Sequence, residues 1–207
     1  MRAIANLLSI LLHPLLMPVL TLAMAMRLDP WIAYFIEPQQ RLLVLGIVAL
    51  MTVAFPLTSA LLLIRSGMLS GLQMKGRRER IAPYIMTLVY YGLTGFLIAR
   101  TPLDPIVFGF VVGASVALLL TTIVTLWWKI SAHMIGVGGM VGAFAALHVV
   151  HQHTMILPIC AAIVLSGAVG TARLLTSDHT QTQVGAGFAL GVASTFVCAL
   201  VKWPFVW

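Results

Sequence analysis

Arg173 and His179 stand with five residues between them in the stretch Arg173–Gln183, RLLTSDHTQTQ. An Arg presents a fixed fork of donors to phosphate oxygens. A His can act as a nucleophile or proton carrier near neutral pH. On one straight helix, six steps of about 100° would put the two side chains on nearly opposite faces. A break is therefore expected between them. Thr176, Ser177 and Asp178 can each cap a new helix. Arg173 would then end one helix and His179 would stand in the first turn of the next.

Two further stretches carry residues of the same kind. Lys75, Arg77, Arg78 and Arg80 fall within six positions, just before Pro83, a residue suited to a first helical turn. For Arg77 and Arg78 a plain basic loop is as good a reading as a site. Lys129-Ile130-Ser131-Ala132-His133 is the other stretch. Ser131 is an N-cap candidate that would place His133 in a first turn. His148, His151 and His153 cluster elsewhere with no carboxylate or Cys beside them in sequence, so interfacial histidines are expected there rather than a metal site. His13, beside Pro14, reads as a packed or interfacial histidine.

The elements that must position these groups are apolar. The 207 residues are 61% hydrophobic and 8% charged, against about 25% charged in a soluble domain. The mean hydropathy is +1.06. This composition predicts a single all-α integral membrane domain over 1–207, and it argues against a globular enzyme with a large water-facing surface. Apolar runs of spanning length lie at Ile4–Met26, Leu42–Ile64, Pro83–Ala99, Ile106–Trp127, the run after Ser131, Thr154–Thr171 and Gln181–Val201, about seven in all. The first run also has features of a signal peptide, with Arg2 ahead of it and Ala23-Met24-Ala25 as a cleavage candidate. Its length and its two prolines, Pro14 and Pro18, favour a retained, bent helix. Gly138 and Gly142, and again Gly187 and Gly191, are four apart in apolar runs, a pattern of close helix packing. Cys160 and Cys198 both sit inside apolar runs, so no disulfide framework is expected.

Counting spans places the three polar stretches together. Two spans separate 75–83 from 131–133, and two more separate 131–133 from 173–183. All three therefore reach one membrane face, each just before a helix. Helix N-termini attract anions, and Lys75, Arg80 and Arg173 add full charges. The formal net charge of +7 points to anionic lipid or phosphate headgroups and not to nucleic acid. The spacing alone predicts a phosphate site at the membrane–water boundary with two histidines in it. The excess of Lys and Arg on the motif face would place it in the cytoplasm, but some of those cations are called for by phosphate itself. The expectation is only that the motif loops share one side and the C-terminus lies on the other.

These stretches resemble the type 2 phosphatidic acid phosphatase superfamily, membrane lipid phosphatases related to vanadium haloperoxidases. The signature of that family is Lys, six residues, Arg-Pro; then Pro-Ser-Gly-His; then Ser-Arg, five residues, His, three residues, Asp. Here Lys75 is followed by six residues and Ala82-Pro83. The second part stands as Ile130-Ser131-Ala132-His133. The third stands as Ala172-Arg173, five residues, His179, three residues, Gln183. The resemblance covers Lys75–Gln183, about half the chain, and implies a lipid-phosphatase-like helical core at about 66–203. It implies that His179 forms a phosphohistidine and that His133 protonates the leaving hydroxyl. Lys75, Arg173 and Ser131 would hold the phosphoryl oxygens, with Arg80 replacing the Arg missing at position 82. No metal and no cofactor are implied. The partners would be the membrane and a phosphorylated lipid or polyprenyl diphosphate, and the setting a bacterial inner membrane. Gln183 stands where the family has the Asp that orients the nucleophile. It is one turn beyond His179 and can still bond the ring, but a neutral amide cannot stabilise an imidazolium as a carboxylate does. The alternative is thus a catalytically weak or inactive binder or carrier of phosphorylated lipid.

Overall fold

A computed structural model describes residues 2–74, 76–152, 154–176 and 179–203. The described residues form helices and connecting turns without strands. Six helical stretches are long and apolar enough to cross a membrane: Pro38–Arg65, Arg78–Ile98, Pro105–Thr125, Ala132–Val150, Ile156–Thr176 and Gln181–Leu200. The chain is an all-helical membrane-protein fold. Pro38–Arg65 comprises α3 (Pro38–Ala49) and α4 (Phe55–Arg65), joined through a π-helical turn at Leu50–Ala54. α5 is Ile81–Ile98, α6 Pro105–Thr125, α7 Ala132–Val150, α8 Ile156–Thr176 and α9 Gln181–Leu200.

The first apolar run corrects the seven-span expectation. It is not one helix but two short ones, α1 (Arg2–Leu11) and α2 (Met17–Leu28). The cause is Pro14, which has no N–H to donate and disfavours helical backbone at His13 before it. The interruption is closed by local bonds, His13 N to Ile10 O at 3.3 Å and Leu16 N to His13 O at 2.8 Å.

α7 is the central helix. Phe144, Leu147, Ala143 and Ala146 on it are fully buried, and more of it lies inside the protein than of any other span. Its glycines explain how it can be central. A methyl on Gly142 would sit 2.5 Å from Val192 O, and one on Gly187 would sit 2.8 Å from Ser131 O. Gly138 and Gly191 meet backbone of the facing helix, Phe188 O and Ile135 O, in the same way. The two glycine pairs read from the sequence thus face each other across the α7–α9 contact. α6 packs on the same α9 through Gly109 and Gly113, whose added methyls would meet Ala199 and Thr195 backbone at 2.7 and 2.6 Å. The outward surface is apolar, with Leu42, Leu157 and Val164 each more than 70% exposed, as a lipid-facing surface requires.

Alternation of the six spans brings the connectors that follow Arg65, Thr125 and Thr176 to one end. A contact ties two of them directly: the Arg77 guanidinium donates to the Trp127 carbonyl. The opposite end is closed by different chemistry. Asp29 is fully buried and accepts from Trp31 N at 2.9 Å and from His151 Nδ1 at 2.7 Å. Asp104 Oδ2 lies 3.4 Å from His151 Nε2, and its other oxygen caps α6 at Ile106 N. The sequence showed no carboxylate beside His151; the fold supplies two from distant turns.

Candidate functional site

At the motif end a cavity of about 250 Å³ opens among α2, α4, α5, α6 and α7. Arg80, His133, Arg173 and His179 line its polar mouth, together with His13 from the α1–α2 break. Its walls continue inward past Thr87, Tyr91 and Thr94 of α5 and Phe110 of α6. From Pro83 to Thr94 the α5 wall alone runs on the order of 16 Å at the helical rise, about half of a 30 Å hydrocarbon core.

His179 does not stand in the first turn of α9. α9 begins at Gln181 with Thr180 as its N-cap, so His179 lies just ahead of the helix. Thr180 and Gln183 form a capping box, a Thr-x-x-Gln pattern visible in the sequence. Thr180 N donates to Gln183 Oε1 at 3.2 Å, and Gln183 N donates to Thr180 Oγ1 at 3.4 Å. Thr176 is the last residue of α8, and its hydroxyl donates back to Ala172 O instead of capping a new helix. Ser177 and Asp178 lie outside the described residues, as does Lys75.

The same glutamine fixes the state of the histidine. His179 Nδ1 lies 3.0 Å from Gln183 Oε1. The Thr180 N–H can only donate, so that amide atom is the oxygen, and an amide oxygen only accepts. Nδ1 therefore carries the proton and Nε2 carries the lone pair. Burial is the main cause that lowers the proton affinity of the ring, to about 4. The Gln183 bond opposes it, and the charges of Lys129, Arg80 and Arg173 add to it. His179 is neutral at pH 7.

His133 stands in the first turn of α7. Its Nε2 lies 3.1 Å from the Ser9 carbonyl of α1, which can only accept, so this nitrogen donates and Nδ1 is left open. Arg173, in the last turn of α8, donates through Nη1 to Ser9 Oγ at 3.4 Å. Arg80 Nε donates to Met74 O at 3.1 Å, and Leu72, Gln73 and Met74 line the cavity beside it. The α1 residue Ser9 thus touches both a predicted histidine and the predicted arginine. Nothing in the sequence singled it out, because it is 124 residues from His133 and sits in an apolar run.

Ser131 departs from its predicted part. It occupies the N-cap position of α7, but its hydroxyl makes no capping bond, is fully buried without a partner, and is not part of the cavity wall. Gly187 of α9 packs against its carbonyl and draws the residue into the helix contact. Of the predicted site residues, Arg80, His133, Arg173 and His179 share the cavity, Gln183 supports His179 from behind, and Ser131 does not reach the cavity. His13 joins them unpredicted; its signal was a His-Pro pair interrupting an apolar run.

No family model matches this chain, and neither does any curated protein or solved structure.

Proposed function

We propose that this chain is a metal-independent phosphatase of membrane lipid phosphates or polyprenyl diphosphates. The observation that carries the reading is the tautomer of His179. It is neutral, its proton is held on Nδ1 by Gln183, and its Nε2 lone pair is available in a cavity with two guanidinium groups. Nε2 attacks phosphorus, a P–N bond forms and the P–O bond to the lipid breaks. His133, held through Nε2 on Ser9 O, takes up at its open Nδ1 the proton that a phosphate monoanion brings with it and passes it to the departing oxygen. Water then attacks the phosphohistidine and returns His179 and free phosphate. Arg80 and Arg173 balance the charge on the phosphoryl oxygens. The apolar depth of the cavity suits the hydrocarbon chain of such a substrate.

The resemblance to the type 2 phosphatidic acid phosphatases supports the same assignment, and a bacterial inner membrane is the setting it suggests. A second reading is a binder or carrier of phosphorylated lipid in the same cavity. The neutral Gln183 favours it, since an amide supports the imidazolium less than a carboxylate would. Release of phosphate from alkyl and prenyl phosphates in detergent with a chelator present separates the two. The enzymatic reading expects release by the wild type and none by His179→Ala. Saturable lipid-phosphate binding without release would establish the carrier.

A further inference from the structure

We propose that His13 is a phosphate-binding residue of this site, donating its Nε2–H to an oxygen of the anionic group. The inference rests on the phosphate reading above and adds to it a ligand from the N-terminal break. His13 Nδ1 accepts from Leu15 N at 3.3 Å. A main-chain N–H only donates, so in the neutral ring the proton lies on Nε2. The ring lines the cavity with Arg80 and Arg173 and stands edge-on to His133, their centroids 5.4 Å apart. The residue stays partly exposed at the mouth; burial of the rest of the ring first, and the Arg173 charge second, hold the proton affinity of His13 below the usual imidazole range. The ring is therefore a neutral donor that adds no like charge to two neighbouring guanidinium groups. The break also fixes its place. Pro14 packs on Gly136 of α7, where an added methyl would come within 3.4 Å of Pro14 Cα and closer still to Met17. The turn that carries His13 is thus seated directly on the helix that carries His133.

A bland role competes with this one: the ring only closes the turn before α2. Asn at this position separates them, because its side-chain oxygen can accept from the Leu15 N–H as in an Asx-turn while the imidazole donor is lost. The probe is monododecyl phosphate, titrated calorimetrically into the purified full chain in detergent, in a His179→Ala background so that it is bound and not cleaved, with dodecanol as the uncharged control. His13→Asn should weaken the phosphate about tenfold or more, the loss of one hydrogen bond to a charged group. It should leave dodecanol binding and the unfolding temperature of the unliganded protein unchanged. In the same background labelled with ¹⁵N at histidine, dodecyl phosphate should move the His13 Nε2 resonance. An unmoved resonance overturns the proposal without the Asn variant. Unchanged phosphate affinity in His13→Asn, with Arg173→Gln weakened, overturns His13 alone. Unchanged affinity in both variants overturns the phosphate site as well.

Discussion

The two ends of the helix bundle both bury histidine, and they treat it in opposite ways. At one end His151 lies between Asp29 and Asp104, with an acidic oxygen near each ring nitrogen. At the other, His179 and His133 each have one neutral acceptor, Gln183 Oε1 and Ser9 O, and each keeps a second nitrogen open. The first arrangement uses the ring up as a cross-link between three connections. The second orients a ring and leaves it able to react. The number of histidines therefore says little; what bonds the other nitrogen decides whether the ring is structure or chemistry.

The comparison breaks most sharply at His179. His179→Ala should reduce phosphate release by at least about 10³-fold, as loss of a nucleophile does, with the fold retained by circular dichroism. It should also remove a pH dependence. The folded proton affinity near 4 lies below the ordinary imidazole value of 6.5. The stability it contributes is complete above pH 6.5 and is lost as the pH falls toward 4, since the unfolded chain then takes up the proton first. Wild-type unfolding temperatures should fall through that window, and those of His179→Ala should fall less.

Asp29→Ala is the counterpart at the other end. It leaves His151 with one of its two acidic partners gone and Trp31 N without its cap. A loss of about 3 kcal/mol is expected from breaking a buried pair, read as a lowered unfolding temperature, with affinity for dodecyl phosphate unchanged. A large fall in phosphate affinity would mean that the two ends are not independent. Gly191→Ala tests what joins them. The new methyl meets Ile135 backbone, which cannot swing aside, so about 1–3 kcal/mol of overpacking is expected. The smallest effect is the most informative. Gln183→Asp gives His179 the kind of partner His151 has. Turnover should rise several-fold, a small part of the about 10⁴-fold that such a carboxylate is worth in a hydrolase triad. The acid limb of the rate profile should move up from about 4, because the carboxylate favours the imidazolium. An unchanged limb would show that Asp at 183 does not reach the ring.

Much of this was legible in the sequence. Long runs without charge located the six spanning helices to within a few residues, because no charged side chain is tolerated cheaply in hydrocarbon. Counting them brought Arg80, His133, Arg173 and His179 to one end. The first run misled because hydropathy averages over Pro14; the residues stay apolar while the backbone breaks. The last apolar run was read from Gln181, where α9 does begin, but its cap was sought too early, at Thr176, Ser177 or Asp178, although Thr180 and Gln183 carried the box that decides the matter. Asp29 and Asp104 could not be assigned to His151 at all. They lie 122 and 47 positions away, and each first looks like the cap of its own turn. Ser131 matched a motif by type, but its backbone carbonyl is taken into a helix contact that only the fold reveals, and its hydroxyl is buried away from the cavity.

The glycine seam between α7 and α9 has a kinetic meaning as well. It joins the helix that carries His133 to the one that His179 leads into, with backbone close against backbone at Gly138, Gly142, Gly187 and Gly191. A pair of reactive groups mounted on such a joint meets its orientational entropy cost once, when the chain folds, instead of at every turnover. On the phosphatase reading proposed above, the search left to each cycle would belong more to the lipid, which must find the mouth of the cavity, than to the two histidines.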